Sequence, residues 1–125
     1  MTDFVSFEIA KKLKEKGFIL QKTEIYGKFD SDGLFHPQLY FNYLETMDYD
    51  EIITPTISQV LKWLRDEFFL HISQKPYPCE DRLMWMYEIR KINKHIVFVI
   101  ANKTGFVKEE EAALAGIEYT LDNLI

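Results

Sequence analysis

The sequence predicts a single α+β domain over residues 1–125, an antiparallel sheet with helices packed on it. The expected order is helix, hairpin, irregular segment, helix, three antiparallel strands, helix. Three observations lead there. Stretches with apolar residues at spacings of three and four lie between capping residues. Other stretches alternate in polarity and are joined by short turn sequences, which favours antiparallel pairing. At 125 residues, 47% hydrophobic and 28% charged, the chain suits one domain with its own core.

The first helix is expected to start at Ser6, whose hydroxyl can accept from an unpaired first-turn N–H. Ile9, Ala10 and Leu13 fall on one face and Lys11, Lys12, Glu15 and Lys16 on the other. Gly17 then supplies a left-handed stop, with Phe18 packing back on Leu13. In the segment 18–28 and its extension to Phe29, Ile25 and Phe29 share one strand face, opposite Glu24, Tyr26 and Lys28. Asp30-Ser31-Asp32-Gly33 has turn chemistry, since the acids bond local N–H groups and Gly33 permits positive φ. Leu34-Phe35-His36 forms the return strand, ended by Pro37. Residues 38–53 show no clean period: Tyr40, Tyr43, Leu44 and Met47 fit a helical stripe, while Leu39-Tyr40-Phe41 fits a short strand.

The second helix opens at Thr56, with Pro55 just outside and Gln59 in capping-box spacing. Ile57, Val60, Leu61, Leu64 and Phe68 make its core face. Phe69 to Ser73 is expected as a strand, closed by Lys75-Pro76-Tyr77-Pro78. Met84 to Arg90 alternates, with Trp85, Tyr87 and Ile89 on one side. A short polar turn, Lys91 to Lys94, leads into Ile96-Val97-Phe98-Val99-Ile100. Because that strand is apolar on both faces, it is expected to be central and covered twice over at least part of its length. Asn102 to Gly105 is expected as the loop before the last helix. Glu109, Glu110 and Glu111 favour that helix's positive pole. Ala113, Leu114, Ile117, Leu121 and Leu124 form its stripe, and Gly116 inside it marks close packing on a neighbour. The helices from Thr56 and Glu109 should pack through Leu61, Leu64, Leu114, Ile117 and Leu121 on Val97 and Val99 or Phe98.

Charge is unevenly spread. Between Lys28 and Lys62 there is no lysine or arginine, while Asp30, Asp32, Glu45, Asp48, Asp50 and Glu51 accumulate there. The acidic, aromatic segment 29–61 also holds Phe29, Phe35, Tyr40, Phe41, Tyr43 and Tyr49. Tyrosines offer large apolar faces with a hydroxyl, and acids steer a basic partner, so Tyr40, Tyr43, Asp48, Tyr49, Asp50 and Glu51 are the candidate partner surface. The net charge of −5 disfavours non-specific attraction to nucleic acid. A single cysteine, Cys79, excludes an internal disulfide, and neither a signal sequence nor a membrane-length apolar run is read, so a cytoplasmic protein without a membrane partner is expected.

Catalytic, cofactor and metal sites are not read from the chain. The glycines make no phosphate loop. His36, His71, His95 and Cys79 lack metal-ligand spacing. Asp30-Ser31-Asp32-Gly33 opens like a calcium loop, but the later bidentate glutamate is out of register. The enzyme alternative is a cleft near His71 and Cys79, with Glu88 as a proton carrier.

The element order, with Thr54-Pro55-Thr56-Ile57-Ser58-Gln59-Val60-Leu61-Lys62-Trp63-Leu64-Arg65 in mid-chain and Glu110-Glu111-Ala112-Ala113-Leu114-Ala115-Gly116-Ile117 near the end, resembles a group of small uncharacterised proteins of gut bacteria and their phages or mobile elements. The likeness includes the segment from Phe4 to Phe18 and covers most of the chain outside the acidic middle. It implies a phage or mobile-element accessory protein and carries no catalytic residues over. The reading is therefore a non-enzymatic module that binds another protein, its own copy included, with the small enzyme as the alternative.

Overall fold

A computed structural model describes residues 3–18, 26–39 and 52–125. The α+β class and the broad order of elements are as expected, but among the described residues the strands form two three-stranded antiparallel sheets where one was expected. The chain divides into two compact units, Thr2–Thr56 and Ile57–Ile125.

In the first unit, helix α1 runs Phe7–Glu15. Ser6 Oγ accepts from the Ile9 N–H at 3.3 Å. At the other end the Phe18 N–H donates to the Leu13 carbonyl (3.0 Å) and the Gly17 N–H to that of Lys14 (3.3 Å). Gly17 at φ +83° makes this pair possible, so the carbonyls of the last turn are satisfied as the sequence implied. Ile9, Ala10 and Leu13 are buried.

Strands β1 (Tyr26–Phe29), β2 (Phe35–Leu39) and β3 (Ile52–Thr54) pair in the order β2-β1-β3. The β1–β2 turn has the predicted chemistry: one Asp30 oxygen accepts from the N–H groups of Asp32 (3.0 Å) and Leu34 (2.9 Å), and Gly33 sits at φ +82°. Asp30 also meets His36 Nε2 at 2.8 Å, a contact the sequence reading missed. That contact, with the two N–H groups, holds the Asp30 carboxyl below its usual value. The return strand does not stop at Pro37 but continues to Leu39. As an outer strand, β2 can lose a ladder donor without leaving a neighbouring carbonyl unpaired. Phe35 packs edge-on to Phe4, with centroids 5.3 Å apart, and lies 5.1 Å from Phe29. Gly27 permits this, because a Cβ there would stand 2.7 Å from the Phe35 ring. The end of the segment expected to be irregular becomes β3.

In the second unit, helix α2 (Ile57–Phe68) starts directly after Thr56. It buries Ile57, Val60 and Leu64. The sheet is β4 (Leu70–Cys79), β5 (Arg82–Ile92) and β6 (Val97–Phe106), in that order, followed by helix α3 (Glu109–Asn123). All three strands are longer than expected. In particular, the expected loop Asn102 to Gly105 belongs to β6. Helix α3 packs on β4 and β5 through Ala112, Ala113, Gly116, Ile117, Thr120 and Leu121, while Leu114 and Leu124 are only half-buried. Beneath the helix lie Ile72, Tyr87 and Ile89, and the predicted Val97, Phe98 and Val99 are exposed instead. Gly116 has the role foreseen for it. A Cβ there would meet Ile72 Cγ2 at 2.9 Å and Tyr87 Cγ at 3.2 Å, so only glycine lets the helix approach this closely. The buried Thr120 hydroxyl donates to the Gly116 carbonyl at 2.8 Å.

Candidate interaction edge

Hydrogen bonding at the two turns of the second sheet shows which way each strand's backbone faces. Cys79 pairs with Arg82 across the two-residue turn Glu80-Asp81. Alternation from that bonded pair leaves Leu70, Ile72, Gln74, Pro76 and Pro78 with their N–H positions on the outer side of β4. At the other end the Ile92 N–H donates to the Phe69 carbonyl at 2.9 Å, the same phase. Pro76 and Pro78 therefore remove donors only from the outer edge, which is why β4 runs through a motif expected to end it.

The β5–β6 turn sets the phase of β6 in the same way. Asn93 and Ile96 exchange both bonds, at 2.8 and 3.3 Å. Ile92–Val97 and Arg90–Val99 are then pairs without mutual backbone bonds, and the N–H and C=O groups of Val97 and Val99 point away from β5. A register shift after Val99 leaves Ile100 as an extra residue before Ala101 meets Ile89. Among the described residues β6 has no second strand neighbour. Ile96, Val97, Phe98, Val99 and Ile100 are 62, 57, 46, 46 and 38% exposed, so the strand expected to be central and covered twice is an open outer strand.

Beside the start of β6 an open hollow of about 420 Å³ is lined by Phe69, Ile92, Asn93 and Lys94. Phe69 is held at φ +56°, a region that costs a bulky side chain, and it is 57% exposed. It is the junction between α2 and β4, fixed by its N–H to the Arg65 carbonyl (3.2 Å) and its carbonyl to Ile92. Lys91 Nζ closes the same corner by donating to the Phe68 carbonyl at 2.9 Å.

The sheet face opposite α3 carries the residues of the enzyme alternative. His71 stands opposite Arg90 and Cys79 opposite Arg82 on the same strand, eight residues apart and so on the order of 26 Å distant. That separation rules out a Cys79–His71 pair. Glu88 accepts from Lys75 Nζ (3.1 Å) and from Arg90. Lys75 first, then Arg90, holds its carboxyl below the usual glutamate value despite desolvation, so it is an ionised structural acid and ill suited to carrying a proton near neutrality. Further along, Tyr77 accepts from the Gly105 N–H at 2.9 Å, which ties β4 to β6 over the intervening strand. Burial, with Tyr119 nearby, pushes the Tyr87 phenol up and keeps it neutral.

The candidate partner residues Tyr40, Tyr43, Asp48, Tyr49, Asp50 and Glu51 lie outside the described residues. Among the described residues no helix is long and apolar enough to cross a membrane. No protein-family model, curated protein or solved structure matches the chain.

Proposed function

We propose that this protein is a non-enzymatic interaction module, an accessory protein of a phage or mobile element, which receives an extended strand along the outer edge of β6. The observation that carries the reading is the unpaired, apolar edge at Val97 and Val99, set beside the hollow at Phe69. Such an edge supplies backbone hydrogen bonds for affinity and alternating side chains for specificity. Soluble proteins ordinarily blunt an edge of this kind with charges or proline, and β4 in the same sheet is blunted by two prolines. On β6 the stretch Val97–Val99, ahead of the bulge at Ile100, carries neither charge nor proline, and its retention is accounted for by use.

The test is affinity capture from a lysate of the source organism, comparing the wild-type chain with Val99→Pro. That substitution removes an outward donor and leaves the β5–β6 ladder its bonds. Proteins held by the wild type should be lost from the variant. Identical capture by both would overturn the reading.

A further inference from the structure

The exposed segment Ile96-Val97-Phe98-Val99-Ile100 reads the same in both directions. We infer that the occupant of the β6 edge is a second copy of this chain, paired antiparallel through a two-fold axis at Phe98. The inference deepens the interaction reading above and rests on it.

The backbone phase and the side chains agree on this register. With the axis at Phe98, Val97 of one copy faces Val99 of the other. These are the residues whose N–H and C=O groups point outward, so each such pair can exchange two hydrogen bonds. Because the segment is palindromic, antiparallel pairing sets Ile96 opposite Ile100, Val97 opposite Val99 and Phe98 opposite itself, apolar against apolar throughout. A shift of one residue in the sum of partner numbers would bring inward-facing amides to the edge and lose the bonds. The chain turns away from this edge at Lys94-His95, so the paired stretch itself carries no charge.

Edge pairing covers only part of the surface that Ile96 to Ile100 expose, so the contact is smaller than a standard interface of about 1,200–2,000 Å² and a weak dimer is expected. An isologous contact of this kind closes on itself, because among the described residues this sheet has one such edge and its other outer strand carries prolines. The product is a dimer with a continuous six-stranded sheet rather than a fibre.

Sedimentation equilibrium of the full chain from low to high micromolar concentration tests this. The wild type should approach twice the monomer mass at the upper end, Val99→Pro should remain a monomer, and Val99→Thr, which keeps the N–H, should still dimerise. A wild type of monomer mass throughout would overturn self-pairing. The lysate comparison would then decide separately whether the edge receives another protein. Register is read by disulfide trapping in a Cys79→Ser background, which needs no proline to be tolerated. Phe98→Cys puts two thiols in a pair without mutual backbone bonds, with Cα atoms about 4.5 Å apart and within disulfide range. Mild oxidation should cross-link most of it and little of Ile100→Cys, whose partner position is Ile96. Equal cross-linking of the two variants, or of neither, would overturn the register.

Discussion

Strands β4 and β6 are the two outer strands of one sheet, and their sequences manage the same exposed backbone in opposite ways. On β4, Leu70 and Ile72 are buried and Pro76 and Pro78 cancel two outward donors. On β6, valines occupy the outward positions and the side chains from Ile96 to Ile100 are exposed. Strand propensity is higher on β6 than on β4, yet it does not decide which of the two is covered. What separates them is coverage: α2 and α3 pack on β4, whereas α3 centres on β4 and β5 and only borders β6. An apolar strand can thus owe its composition to an interface as readily as to the interior of its own chain.

Truncating one side chain on each strand's side of the sheet separates the two regions most strongly. Leu64→Ala, under full burial in the helix layer, should cost about 2–5 kcal/mol in a denaturant melt. Phe98→Ala, measured at a protein concentration low enough to keep the chain monomeric, should cost under about 1 kcal/mol. Comparable losses at the two positions would mean that β6 is as much core as β4.

Gly116→Ala probes the covered side alone. Alanine gains up to ~1 kcal/mol in helix propensity, but its methyl would press on Ile72 and Tyr87, an overpacking cost of about 1–3 kcal/mol. The net expectation is a loss of about 1 kcal/mol, seen as a lower urea midpoint with unchanged slope. A gain would mean that α3 can slide off the sheet at no cost.

Glu80 tests the turn that joins the covered strand to its neighbour. It sits at φ +56° in the two-residue turn, a conformation glycine adopts without a Cβ penalty. Glu80→Gly should leave stability unchanged or raise it by up to about 1 kcal/mol, the relief of strain being partly offset by the greater freedom of the unfolded chain. A clear loss of thermal stability would show that the Glu80 side chain holds the hairpin.

The smallest effect is a pH dependence from the open sheet face. Glu88 has a lower pKa folded than unfolded, so the folded state binds fewer protons on the acid side. Its contribution is present above the ordinary glutamate value of about 4.3 and is lost as pH falls below that, through the depressed folded value. Glu88→Gln should flatten the acid limb of the urea midpoint plotted against pH. An unchanged limb would mean that Glu88 does not set it and that other carboxyls do, Asp30 with its His36 contact among them.

The legible parts were those whose cause is local. Ser6, Gly17 and Phe18 fix the ends of α1 through bonds spanning a few residues, and Asp30 with Gly33 builds a turn from its own atoms. The Gly116 contact was legible too, because glycine weakens a helix interior and is tolerated in an apolar stripe where a neighbour leaves no room for a Cβ. The edge was misread because period alone cannot distinguish a strand covered twice from one covered by nothing. A signal was present in Pro76 and Pro78, which mark β4 as outer. With only three successive strands in that unit, β6 then had to be the other outer strand.

The α+β class, the caps of α1, the β1–β2 turn and the alternation of β5 follow from residue order alone, because they depend on neighbours within a few residues. The split into two sheets, the distance between His71 and Cys79, the pairing of Glu88 with Lys75 and Arg90, and the exposure of β6 emerge only on folding. Each of these depends on which strand lies beside which, and pairing partners are chosen by burial summed over the whole chain rather than by any residue's own preference.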